Sequence, residues 1–202
     1  MKATIVVTAL LCSAFIDSVK AQGTLLYDQQ SADESIPTEA IVGITSFQQP
    51  VGQSFAPSLA AVGFIRLKLL DGNPGNGLGA TVYVNLRADS ITGLVLSSST
   101  PVFIPDTFSV TFTDFLFPIP VPVAPGTTYF LQPVIQSGDG MLAGRLIMGT
   151  DYTGGTEFIN GQAGTDDLWF REGVVVPEPS LMTLFLLGGA GLAAARSRHR
   201  RQ

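Results

Sequence analysis

The sequence predicts an all-β protein, a β-sandwich of jelly-roll type, with an N-terminal signal helix and a short C-terminal transmembrane helix. Two observations predict the sandwich. The 202 residues include 22 Gly and 13 Pro, about 17% together, whereas these two types average roughly 12%. The glycines and prolines separate short apolar runs, as turn residues do. Between the two ends, no window shows a helical period with capping residues.

The first element is an N-terminal segment, residues 1–21, that is typical of a secretory signal peptide. Lys2 precedes an apolar stretch from Ala3 to Ile16, and Val19 and Ala21 occupy the −3 and −1 positions of a cleavage site. The apolar stretch is short for a transmembrane helix. We therefore expect signal peptidase to cut after Ala21, the alternative being a helix buried in the fold.

Alternation of apolar and polar side chains with a period of two indicates three strands, each with one face toward the core. The expected inward residues are Ile65, Leu67 and Leu69 in segment 62–70, Val82, Val84 and Leu86 in segment 81–87, and Phe108, Val110 and Phe112 in segment 108–113. Shorter candidate strands are 24–28, 51–55, 94–98, 127–135, 145–148 and 168–172. Pro133 indicates an edge or a bulge in its strand.

The last element is an apolar segment, residues 181–195, that is followed by four arginines at positions 196, 198, 200 and 201. As a helix it would be about 22 Å long, against roughly 30 Å of hydrocarbon. Snorkelling by Arg196, Arg198, Arg200 and Arg201 and local thinning of the bilayer could close the gap. Their charge predicts a cytoplasmic end, so the membrane would hold the rest of the chain outside.

The run Val-Pro-Glu-Pro-Ser at 176–180, the Gly-containing apolar helix and the Arg-rich end follow one another in a fixed order. Together, residues 174–202 resemble the PEP-CTERM sorting signal of exported bacterial proteins. The resemblance implies that Pro177, Glu178 and Pro179 are recognised by a membrane-embedded exosortase, which cuts near them. Two prolines favour an extended segment that a protease can bind. The alternative is an ordinary anchor with a stiff spacer.

The predicted sandwich domain spans residues 22–173. Residues 22–176 hold fourteen acids and five cations, a net charge of −9, the cations being Arg66, Lys68, Arg87, Arg145 and Arg171. So acidic a domain repels phosphate backbones, which disfavours nucleic acid as a partner.

The same residues contain neither His nor Cys, so a Ser–His–Asp or Cys–His site has no base or nucleophile. The pattern at Gly75–Ala80 resembles a dinucleotide loop but leads into a strand, which predicts a turn. The domain is therefore expected not to be an enzyme. A pair of carboxylates that hydrolyses a glycoside stays open, because sequence does not give their separation.

Calcium is the one cofactor that the residues suggest. Asp71 and Asn73 open a Gly-rich loop, and Asp166, Asp167 and Asp151, which lie in other Gly-rich loops, could add oxygens in the fold. An EF-hand would need Glu where Val82 stands. The alternative is that Asp and Asn serve only as turn formers.

Two functions remain open. The first is a structural or adhesive surface or matrix protein, located in the cell envelope or outside the cell and transiently anchored in the inner membrane. The second is a module that binds extracellular polysaccharide, with Tyr83, Tyr152 and Trp169 stacking on sugar rings and Arg87 bonding hydroxyls. Rings clustered on one sheet face would favour sugar binding, and scattered or buried rings the structural role.

Overall fold

A computed structural model of the chain describes residues 23–45, 47–147 and 152–178. Over this part the chain is all-β, with two antiparallel sheets and no helix, which confirms the predicted all-β class. The expected signal segment 1–21 and apolar helix 181–195 lie outside the described residues. Leu25–Val175 is one compact unit, and a second unit, 1–24 with 176–202, falls almost wholly outside the described part.

Each sheet has seven strands. The first contains β1 (Thr24–Gln30), β2 (Ala40–Ile44), β4 (Ala61–Asp71), β8 (Thr111–Pro122), β10 (Met141–Leu146), β13 (Asp167–Leu168) and β14 (Phe170–Val176). The second contains β3 (Gly52–Phe55), β5 (Ala80–Ala88), β6 (Val95–Ser98), β7 (Val102–Ile104), β9 (Tyr129–Gly138), β11 (Glu157–Ile159) and β12 (Gln162–Ala163). Every predicted strand overlaps one of these, whereas β2, β7, β11 and β12 were not predicted.

β4 organises the first sheet. β8 pairs along one of its edges, and the other edge is shared between β14, opposite residues 64–67, and β10, opposite residues 69–71. In the second sheet β9 lies between β5 and β3, and β6 and β7 share the free edge of β5. Pro133 lies on β9 beyond Leu131, the last residue that β3 pairs, so that side of the strand is an edge there, as predicted.

The core lies between the two sheets. The predicted inward residues of β4 and β5 are each at most 1% exposed, which confirms both faces. Phe64, on the other face of β4, is buried as well, because the ring of Tyr27 packs against it at 5.5 Å between centroids. Apolar residues from both sheets therefore join in one continuous cluster.

The face predicted for segment 108–113 is wrong. Phe108 is 80% exposed and Phe112 38%, whereas Thr113 is buried. The strand begins only at Thr111 and runs to Pro122, and its inward side chains continue from Thr113 to Phe115 and Phe117. The longer strand buries two phenylalanines in this register, and that outweighs the local alternation.

The outer edge of β8 is blocked by prolines. The carbonyl of Leu116 accepts a bond from outside the sheet, from Thr100 N at 2.8 Å. Beyond Leu116 the register between β8 and β4 is irregular, and this part of β8 contains Pro118, Pro120 and Pro122, which have no N–H to donate. This edge therefore offers a poor template for another strand.

The first and last strands of the body are neighbours. Ser31 N donates to Phe170 O at 3.0 Å, and Leu26 approaches Gly173, so β1 and β14 run antiparallel. Leu25 and Val175 thus lie at the same end of the sandwich, which we call the terminal pole. The loops 72–79, 105–110 and 139–140 lie at the other end, the distal pole.

The corrected face of β8 gives a direct test. We expect Phe115→Ala to lower the free energy of unfolding by about 3–5 kcal/mol, because it leaves a cavity between the sheets. Phe108→Ala, the same change at an exposed site, should cost below about 1 kcal/mol. Urea denaturation measures both, and equal losses would contradict the observed register.

Candidate functional site

The distal pole is built around the Gly-rich loop 72–79. Asp106 accepts backbone hydrogen bonds from Gly75 at 2.7 Å and from Gly77 at 2.6 Å. Both glycines have positive φ, 92° and 78°, a conformation that favours glycine. The segment connects two strands without a helix, so the predicted turn is confirmed and no helix N-terminus is available for a phosphate.

Several large apolar side chains are exposed at the distal pole, and we call the four most exposed of them the apolar rim: Phe47 (91%), Leu78 (58%), Phe103 (65%) and Phe108 (80%). Two of the rings lie on the glycine loop itself. A Cβ at Gly75 would come within 2.9 Å of Phe108, and one at Gly79 within 2.8 Å of Phe103. The lack of a side chain at these glycines therefore lets the ends of both rings approach the backbone, while most of each ring meets solvent.

A groove of about 610 Å³ lies at the same pole. Its apolar lining comes from Ile44, Val134 and Ile135, and Asp139 lies at its margin. Asp139 also joins neighbouring loops, since its carboxylate accepts from Asn76 and its backbone N–H donates to Gly79 O at 3.1 Å. The distal pole thus combines apolar surface with carboxylates.

The four predicted calcium ligands do not converge. Asp71 lies opposite Met141 and Asp167 opposite Leu146, five residues apart along β10, or about 17 Å. Asp71 instead accepts from Asn73 N at 2.8 Å. Among the described residues, no three His, Cys, Asp or Glu side chains form a group that could hold a metal ion. Asp151 lies outside them.

Asp166 and Asp167 belong to a polar cluster between the sheets that sequence reasoning missed. Arg145 of β10 makes a two-point contact with Glu157 of β11, with Nε to Oε2 at 2.6 Å, and reaches Asp166 at 2.9 Å. Glu157 is 2% exposed. The bonds to Glu157 outweigh the effect of burial and raise the pKa of Arg145.

The same polar cluster continues through the side-chain amide of Gln53 and backbone N–H groups. Gln53 Nε2 of β3 donates to Asp167 at 2.6 Å, and Gln53 Oε1 accepts from Leu168 N at 2.9 Å. Tyr152 N donates to Asp167 at 2.8 Å. Because these bonds connect one sheet to the other, they hold the relative position of the sheets where apolar packing alone would be permissive. In the sequence, the only signal for this cluster is that an Arg and a Glu occur within short strands.

The three predicted sugar-stacking rings are not on one face. Trp169 is fully buried, packs on Phe112 with centroids 4.9 Å apart and donates its Nε1–H to Asp33 O at 3.2 Å. Its prediction as a stacking surface is wrong, because the segment after β1 covers it. Tyr152 is half-buried and packs edge-on against Phe170. Tyr83 is half-buried on the outer face of the second sheet.

Each cation of the body is engaged within the fold. Arg66 makes a two-point ion pair with Asp114 at 2.6 and 2.8 Å, and Arg171 lies 3.4 Å over the ring of Tyr27. The other three bind as follows: Arg145 binds carboxylates, Lys68 donates to Ile36 O, and Arg87 donates to Gln132 and Gly93 O. Arg87 is therefore already occupied, and the remaining surface charge is negative.

The start of the expected sorting motif follows β14 directly. Pro177 and Glu178 are exposed, whereas Pro179 and the four terminal arginines lie outside the described residues. Within the described ranges, no helix has the length and apolar character needed to cross a membrane. Comparison with known proteins finds no matching family model and no similar curated protein.

Replacing Glu by Gln should affect the free energy of unfolding unequally at two acids, one inside the inter-sheet cluster and one outside it. Glu157→Gln removes the buried negative charge that lies against Arg145 and replaces one acceptor with an NH2 group, and we expect a loss of about 3–5 kcal/mol in unfolding free energy. Glu34→Gln breaks an ion pair of Arg66 at a partner that is 43% exposed, and should cost below about 1 kcal/mol. Denaturant titration compares them, and similar losses would contradict a role for the cluster in holding the sheets.

Proposed function

We propose that this protein is an exported, non-enzymatic surface or matrix protein with a structural or adhesive β-sandwich body. Signal peptidase would remove the N-terminal segment 1–21. An exosortase would then process residues 174–202, which until then anchor the chain in the inner membrane. The mature protein would remain in the cell envelope or outside the cell. We also propose that the sandwich is of the jelly-roll type.

One observation carries the adhesive role: the body's ends and its apolar rim lie at opposite poles. Pairing of β1 with β14 brings residues 25 and 175, the two ends of the body, together. The chain therefore leaves the body at the pole opposite to the apolar rim. Phe103 and Phe108 would then be displayed outward, and exposed apolar groups of this kind are typical of interaction sites.

Polysaccharide binding is the less favoured function. Of the predicted stacking rings, Trp169 is buried and Tyr83 and Tyr152 belong to different parts of the fold. Sugar sites place flat rings side by side with free polar groups between them, and here Arg87 is bound to Gln132 and Gly93. The scattered arrangement supports the structural or adhesive role instead.

Export processing can be tested at the motif. We expect the mature wild-type protein to end near residues 177–179, and Glu178→Ala to retain the apolar segment because exosortase recognition is lost. Mass spectrometry of the C-terminal peptide and localisation in cells with and without the exosortase measure this. Glu39→Ala, also at an exposed acid, is the control. A wild-type peptide that continues through Leu184 would overturn the proposal.

Adhesion can be tested at the apolar rim. The double substitution Phe103→Ser with Phe108→Ser should reduce retention of the protein on cells or in their matrix several-fold, without lowering the melting temperature by more than a few degrees. The matched control is Leu94→Ser with Leu116→Ser, at sites 68% and 45% exposed that lie away from the distal pole. Equal retention of both double variants would count against an adhesive distal pole.

A further inference from the structure

An acid is buried in the seam between the first and last strands. Glu172 of β14 is 0% exposed and shares the inward face of its strand with Phe170. Both of its carboxyl oxygens are buried without a hydrogen-bond donor. The backbone N–H of Gln29 approaches them and only slightly favours the ionised form. A carboxylate in this place would lack the partners that buried charges require.

The nearest charged group is also an acid. The carboxylate of Asp28, on β1, lies beside that of Glu172. Asp28 accepts hydrogen bonds from Ser58 N at 2.7 Å and Leu59 N at 2.8 Å, and from Ser58 Oγ. Burial alone would raise the pKa of Asp28, but these bonds outweigh it and lower that pKa. Asp28 is therefore the ionised member of the pair.

The other titratable groups around Glu172 add no positive charge. Tyr152 lies on the inward side, where its hydroxyl donates to Gln29 Oε1 at 2.9 Å. Burial, with the negative charges of Glu172, Asp28 and Asp167, raises the pKa of Tyr152. The neighbouring cations Arg66 and Arg171 are on the opposite face of the sheet and stack on Tyr27. Only a proton on Glu172 relieves the repulsion within the pair.

We propose that Glu172 retains its proton at neutral pH and donates it to Asp28, so that the β1–β14 seam acts as a latch that is closed at neutral pH and loosens when the solution becomes alkaline. Geometry assigns the roles: Asp28 already has its donors, and Glu172 has none. Loosening would begin at the terminal pole, in the strand that leads directly into Pro177.

The direction of the pH effect follows from the two states. Burial first, and then the charge of Asp28, raises the pKa of Glu172 from 4.5 to about 8. Since the folded state holds the proton more tightly than the unfolded state, this group stabilises the fold fully below pH 4.5. That stabilisation declines as the pH rises, and it is lost once the pH has passed about 8.

The test follows the full chain between pH 5 and pH 9.5. We expect the melting temperature of the wild type to fall across this range, and that of Glu172→Gln to change much less, because glutamine stays neutral and can donate to Asp28. Glu34→Gln, at an exposed acid, should keep the wild-type slope. Hydrogen exchange, corrected for the intrinsic pH effect, should rise at least tenfold in β1 and β14 at pH 9 and remain unchanged in β5 and β9.

Two results would overturn the latch. The first is a wild-type pH slope that persists in Glu172→Gln. The second is a Glu172 carboxyl that titrates near 4.5 in carbon NMR of the wild type, a measurement that also decides the matter if the variant does not fold. Exchange that rises equally in all strands would indicate global unfolding instead of an opening at the seam, and would likewise contradict the proposal.

Discussion

The pairing of β1 with β14 is the constraint on which the rest of the arrangement depends. It completes the first sheet with the two strands that are farthest apart in the chain, and it brings residues 25 and 175 to one pole. Loops between successive strands then form the distal pole, where the apolar rim lies. The closure entropy of so long a loop is large, so the seam must be stabilised by what the two strands bury.

That seam has a chemistry unlike the rest of the core. At the inter-sheet cluster, by contrast, charges are matched, since Arg145 meets Glu157 and Asp166 where β10 faces β11. At Glu172 no cation is available, and the balance depends on a proton. A buried acid without a cationic partner is costly when ionised, and it makes the stability of this part of the sheet sensitive to alkaline pH in a way that the central strands are not.

The engagement of every cation of the body also shapes its surface. Arg66, Arg145 and Arg171 lie against carboxylates or a ring, and Lys68 lies over Phe112 and Trp169. The exposed charge that remains is acidic. A surface of one charge sign keeps molecules apart in solution, and the uncharged apolar rim is the part of this surface that differs most from the rest.

Much of the fold could be read from local patterns, and the misses have physical causes. Segments 62–70 and 81–87 alternate over their whole length, and their inward faces are as predicted. Segment 108–113 alternates equally well but lies at the start of a longer strand, whose phenylalanines at 115 and 117 decide its register. The strands β11 and β12 are too short to leave a periodic signal, and they form because β3 offers an edge to β11, which in turn pairs with β12.

The sequence by itself determined the all-β class, the acidic character of the body and its lack of His and Cys, because these depend on composition and on spacing within single strands. It also carries the two end segments on which the export proposal rests. Only the tertiary structure decided which residues meet: that Trp169 is covered, that the four calcium candidates are divided along β10, and that Asp28 lies beside Glu172. These residues are far apart in the chain. Long-range strand pairing brings them together or keeps them apart, and local periodicity does not encode that pairing.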